Sequence, residues 1–222
     1  MLKNKIVLTI ILLISTIVFF GLSDLDILIQ SYFFNFETKE WILNSSKEPY
    51  RFIFYDGIKY ILIIILLSSI LSLVFFQKNV IVKRYKQGII LFILSALLIL
   101  SSVSILKKQT NMPCPKNEVY FGGEYPSTKV WEKYSQNTRD TIRCWPAGHA
   151  SGGFALMSLF FLFNTKRNKF LSLFFAVSIG WSMGIYKMII GDHYFSHTLI
   201  TMLLSVLIIL ILNTIISRRS FK

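Results

Sequence analysis

Apolar residues come in long unbroken runs with charges gathered at their ends, and six such runs stand out, at 6–22, 59–76, 88–106, 147–163, 170–186 and 198–216. Runs of about 17 to 20 residues have the length at which an α-helix crosses the hydrocarbon core of a bilayer. The stretch Ile61-Leu62-Ile63-Ile64-Ile65-Leu66-Leu67 is apolar on every face, as a lipid-surrounded helix requires. Strands of a membrane barrel would alternate with period two instead. The pattern therefore predicts an all-α integral membrane protein of six transmembrane helices. The first run follows Lys3 and Lys5 as a signal peptide would, but Phe19-Phe20-Gly21-Leu22 offers no small-x-small cleavage site, so it reads as a retained span.

With six spans both termini share one side, together with the short connections 77–87 and 164–169. That side holds Lys3, Lys5, Lys78, Lys83, Arg84, Lys86, Lys166, Arg167, Lys169, Arg218, Arg219 and Lys222, and no acidic residue. Such a bias marks the cytoplasmic face. The long segments 23–58, 107–146 and 187–197, which carry every Asp and Glu, are then outward and periplasmic.

Composition sharpens this picture. With 222 residues, 54% hydrophobic and 16% charged, the chain leaves no room beside its spans for a soluble unit, so residues 1–222 read as one membrane domain. Disorder, coiled coil and a disulfide-dense scaffold are excluded. The formal charge of +13 does not point to nucleic acid, because the bases lie along membrane-flanking loops, where they set topology and meet lipid headgroups.

Chemistry is concentrated on the outward side. All three histidines, His149, His193 and His197, fall at span ends there, near Lys107, Lys108, Arg143 and Lys187. Titratable nitrogens among cations suit a phosphate. The string Arg143-Cys144-Trp145-Pro146-Ala147-Gly148-His149 reads as a helix start with Pro146 in the first turn, where Gly148 lets an anion approach free amides; the competing reading is a Pro-Gly opening followed by close helix packing at Gly152 and Gly153. A second string, Tyr186-Lys187-Met188-Ile189-Ile190-Gly191-Asp192-His193-Tyr194-Phe195-Ser196-His197, joins the last two spans and offers an anion clamp, a nucleophile and an orienting partner. Its His pair at i and i+4 resembles part of a zinc motif, but the Glu of such a motif is missing, and no metal or other cofactor is expected. A third string, Lys107 to Pro115, holds an extended exit fixed by Pro113 and Pro115. Cys114 and Cys144 share the outward segment, where an oxidising compartment permits either a bridge or two thiols.

In order, these strings resemble the tripartite signature of the type 2 phosphatidic acid phosphatase superfamily: Lys-x6-Arg-Pro, Pro-Ser-Gly-His and Ser-Arg-x5-His-x3-Asp. Lys107 and Pro115 match the first motif, with Cys114 in place of arginine. Pro146, Gly148 and His149 match the second, with Ala147 for serine. Lys187, for arginine, and His193 match the third, with Tyr186 for serine and His197 for aspartate. Cys-Pro followed by Arg-Cys-aromatic-Pro-x-Gly-His-Ala-Ser is most similar to the bacterial inner-membrane branch that removes phosphate from lipid A, the 4′-phosphatases above all.

The resemblance implies a six-helix bundle with an outward active site. His193 is the implied nucleophile and His149 the implied acid and base, with Lys107, Lys187, Arg143 and Gly148 holding phosphate. It further implies His197 or Asp192 as the group that orients His193, and a Cys114–Cys144 bridge that brings Arg143 to the place of the missing motif arginine. The implied partners are the bilayer and a lipid substrate, lipid A, whose loss of charge would weaken attraction of cationic antimicrobial peptides. Other lipid phosphates, lipid A at its 1-phosphate, undecaprenyl pyrophosphate or phosphatidylglycerol phosphate, remain open, as does a degenerate lipid-binding scaffold. A transporter is disfavoured, because charges flank the spans without interrupting them. The segment Leu25 to Phe34 reads as an interfacial stretch that gathers lipid or as an ordinary amphipathic connector.

Overall fold

The computed structural model describes residues 2–44, 48–110, 112–132 and 143–219, so parts of the outward segments 23–58 and 107–146 lie outside the described residues. Helix α1 (Leu2–Leu22) leads into a short α2 (Leu25–Ser31) and a small hairpin of β1 (Phe34–Asn35) and β2 (Glu40–Trp41), with Phe34 opposite Trp41. A π-helical turn, Phe52–Asp56, opens α3 (Gly57–Phe75); α4 (Val80–Thr110), α5 (Gly148–Ala155), α6 (Lys166–Ile189) and α7 (Phe195–Arg219) follow.

Among the described residues five helices are long and apolar enough to cross a membrane. They match five of the six expected runs but extend beyond them, because Lys and Arg stems tolerate the ends of a span while their charged heads reach water. The expected span 147–163 differs. It is an eight-residue α5 continued by a six-residue 3-10 turn, Leu156–Phe161. At roughly 1.5 Å per α residue and 2.0 Å per 3-10 residue it is about 24 Å long, short of the roughly 30 Å hydrocarbon core. The helix start also falls later than expected: Ala147 is the N-cap and Pro146 precedes it, after a cis bond from Trp145.

Short as it is, α5 is the centre of the bundle, packed on α4, α6 and α7. Phe92, Ala96 and Ile99 of α4 and Ala150, Phe154 and Ala155 of α5 form its buried core. Glycine makes the approach to α6 possible, since a Cβ on Gly153 would lie 2.6 Å from the backbone nitrogen of Gly180. By contrast α1, against α7, and α3, against α4, are peripheral, and their exposed Leu, Ile and Val side chains face where lipid would be.

At one end of the bundle α2, the hairpin and the chain after α4 pack together. Phe34, Phe121 and Tyr194, with Ile27 and Trp41, make a second core there. The Lys116 amide donates to the Gly191 carbonyl at 2.9 Å, and in the same layer the Val119 amide donates to the Tyr125 carbonyl at 2.8 Å and the Tyr125 amide to the Asn117 carbonyl at 2.9 Å. This layer covers the turn between α6 and α7.

Candidate active site

Three chain segments meet beneath that layer. Cys114, after α4, and Cys144, before α5, are disulfide-bonded with Cα atoms 5.1 Å apart, and the Cys144 amide donates to the Met112 carbonyl at 3.0 Å. The Cys144 sulfur lies 3.2 Å from the Asp192 carbonyl oxygen. A bridged sulfur carries no proton, so this is a contact and not a hydrogen bond. Thr201 fastens the start of α5 to α7: its hydroxyl donates to the His197 carbonyl at 2.7 Å and accepts from the Ala147 amide at 2.9 Å. Thr110 similarly donates to the Trp145 carbonyl at 3.0 Å, tying α4 to the same strand of chain.

These ties bring His149, at the first turn of α5, to a ring-centroid distance of 6.2 Å from His193, and His193 to 5.7 Å from His197. His193 is buried, and burial, then Lys107 and the neighbouring histidines, hold its ring well below the usual pKa, so it is neutral at physiological pH. Its Nδ1 has no hydrogen-bond partner among the described residues. His149 is only partly buried and stands edge-on to Tyr55, with centroids 4.6 Å apart.

The cations divide into two groups. Lys107 lies against the start of α5, where a Cβ on Gly148 would come within 3.3 Å of its Nζ, so glycine leaves the ammonium its room. Lys187 packs 4.5 Å from the Tyr55 ring centroid and binds Asp192 at 2.8 Å. Lys116 binds the other Asp192 oxygen at 2.7 Å. Burial alone would raise the pKa of the Asp192 carboxyl, but Lys187 and Lys116 outweigh it and hold the group below its usual value. The α5 start has no side-chain cap, and the first-turn amides of a helix are the ones that find no carbonyl partner within it.

Two expected roles look different in the structure. Both Asp192 carboxylate oxygens are taken by lysines, and no hydrogen bond joins them to His193. Arg143 is exposed, and among the described residues no contact brings it to the histidines in spite of the adjacent bridge. His197 is fully buried behind His193, its ring edge-on to Tyr194 at 5.4 Å. Among the described residues no group of three or more His, Cys, Asp or Glu is placed to hold a metal.

Tyr55, Lys59, Lys116 and Thr201 belong to the site although the sequence motifs do not contain them. Tyr55 lies in the π-helical turn Phe52–Asp56 and Lys59 at the start of α3, and no motif in the sequence singled them out. From His149 a groove of about 230 Å³ descends between α3 and the α4–α5 pair, lined by Tyr55, Lys59, Leu62, Leu66, Phe92 and Gly152 among others. It is polar at the histidine and apolar below. The model of the PAP2 superfamily matches residues 88–221, whereas no curated protein and no solved structure matches the chain.

Proposed function

The chain belongs to the PAP2 superfamily, whose members are phosphatases, and we propose that it hydrolyses the phosphate monoester of a membrane lipid, lipid A at its 4′ position, on the periplasmic face of a bacterial inner membrane. One observation carries the reading: His149, whose ring centroid is 6.2 Å from that of His193, stands at the head of an apolar groove between membrane helices, and Lys107 lies against the neighbouring Gly148. A headgroup phosphate at the histidines and a hydrocarbon chain in the groove would occupy both parts together. The groove is smaller than the roughly 300–1,000 Å³ of most ligand pockets, so it receives part of one chain while the others stay in the bilayer. That single-chain width equally suits a prenyl pyrophosphate, which is the second reading.

In the proposed reaction Lys107, Lys187 and the α5 amides near Gly148 hold the equatorial phosphoryl oxygens. Neutral His193 attacks phosphorus in line, and His149, protonated beside the bound dianion, gives its proton to the departing sugar oxygen. His149, now a base, takes a proton from water, whose oxygen attacks the phosphohistidine and releases inorganic phosphate and His193. With ring centroids 6.2 Å apart, the two histidines are near enough to act on one phosphoryl group. Basic loops on the opposite side from the histidines support the orientation.

The test is mass spectrometry of lipid A carrying both phosphates, incubated with the purified protein or its His193→Ala variant. Loss of one phosphate from the 4′ sugar with wild type alone supports reaction, position and nucleophile. Turnover of undecaprenyl pyrophosphate with lipid A untouched moves the assignment to the second reading. Binding of these lipids without release of phosphate by either form favours a degenerate scaffold.

A further inference from the structure

The turn that carries Asp192 and His193 is held from outside by a segment that the family match does not include. On α2, Asp26 and Gln30 are four residues apart and so share one face. The Ser196 amide donates to Asp26 Oδ1 at 2.9 Å and the Ser196 hydroxyl donates to Asp26 Oδ2, across 170 residues of chain. Gln30 is fully buried and its Nε2 donates to the Met188 carbonyl at 2.7 Å, across 158 residues. One contact therefore falls just before the 189–195 turn and the other just after it. Between them Gly191 takes a left-handed conformation, φ 74°, beneath the Trp41 ring, in space that any side chain would fill.

We propose that α2 is a clamp and that Asp26 and Gln30 are positioning residues for His193, fixing both ends of the turn so that its ring meets phosphorus in line. Two features argue for this over general packing. The Nδ1 of His193 has no hydrogen-bond partner among the described residues, so the ring's aim depends on the backbone that bears it. Asp26 is also a costly residue to keep there: burial pushes its carboxyl up to about 6 in spite of both Ser196 bonds. A residue serving only to fill space would be apolar. The kinetic part of this inference rests on the phosphatase reading; the geometric part does not.

The experiment compares wild type with Asp26→Ala, Asp26→Asn and Gln30→Ala by lipid phosphatase kinetics on lipid A and by NMR of selectively labelled histidine rings. Asp26→Ala is expected to lower kcat about 10- to 100-fold with KM within about twofold, and to move the His193 ring signals. Asp26→Asn keeps an acceptor for the Ser196 amide and recovers most of the rate, and Gln30→Ala behaves as a weaker Asp26→Ala. If Asp26→Ala does not fold, Asp26→Asn and Gln30→Ala carry the test. Unchanged kcat and unchanged ring signals in the folded variants overturn the clamp, and so does an effect on KM alone. A wild type inactive on every lipid phosphate, with ring signals still displaced in the variants, sinks the phosphatase reading and leaves the clamp standing.

Discussion

At the scale of single residues the site turns on how two lysines share one carboxylate. Asp192 shares its single negative charge between Lys187 and Lys116, so a phosphate arriving at Lys187 must compete with it. Asp192→Asn removes that competitor while preserving shape. Inorganic phosphate is then expected to inhibit several-fold more tightly, about one kcal/mol of added attraction at a partly buried charge, and kcat to fall as product leaves more slowly. Product-inhibition constants decide between the two roles for Asp192: a group that orients His193 would lower kcat and leave phosphate inhibition unchanged. The histidines and Lys107 and Lys187 were legible in the sequence because their spacing at span ends is local. The double engagement of Asp192 was not, since Lys116 reaches it from another segment, and neither was the exposed position of Arg143, which adjacency to Cys144 does not fix.

At the scale of helices, hydrophobic run length found the long spans because lipid imposes one requirement on every residue of them. It did not foresee the shortness of the helix at 147–163, because a run counts apolar residues but not their conformation. The 3-10 turn at Leu156–Phe161 and the buried small residues of α5 reflect contact with neighbouring helices, not with lipid. The two glycines that follow Ser151 consequently have different roles. A Cβ on Gly153 meets the backbone of Gly180, which cannot yield without separating α5 from α6. Gly153→Ala is expected to destabilise the detergent-solubilised protein by about 1–3 kcal/mol, seen as a lower Tm. A Cβ on Gly152 meets only the end of the Leu62 side chain, at 3.1 Å, inside the groove. Gly152→Ala should keep its Tm and raise KM for long-chain lipid more than for a short-chain phosphate. Equal Tm losses in both variants would mean that the groove wall and the helix contact are one rigid unit.

At the scale of the whole molecule, a lipid-embedded bundle carries a water-facing layer whose segments are distant in sequence, and this is the part no local pattern could reveal. Asp26, Glu118 and Tyr194 come together only because α2, the chain after α4 and the α6–α7 turn close on each other. Burial raises the Glu118 carboxyl from its usual 4.5 to about 7, outweighing the opposing influence of the nearby Tyr194 and Ser127 hydroxyls, and raises Asp26 from 3.8 to about 6. Both acids hold a proton in the closed layer at a pH where they would lose it if the layer opened. The closed state therefore binds more protons, and its stability is complete below the ordinary carboxyl range and declines as pH rises from about 4 to about 7. Hydrogen exchange across 23–44 and 112–125, corrected for intrinsic rates, should show protection falling over that interval while α5 and α7 stay protected. Glu118→Gln keeps the size and hydrogen-bonding capacity of the side chain without the charge, so its protection should depend on pH less steeply, leaving mainly the Asp26 contribution. A wild-type profile that is flat from acid to neutral pH, or one that Glu118→Gln does not change, would show that these carboxyls titrate alike in the open and closed layer. The layer's hold on the His193 turn would then be independent of pH.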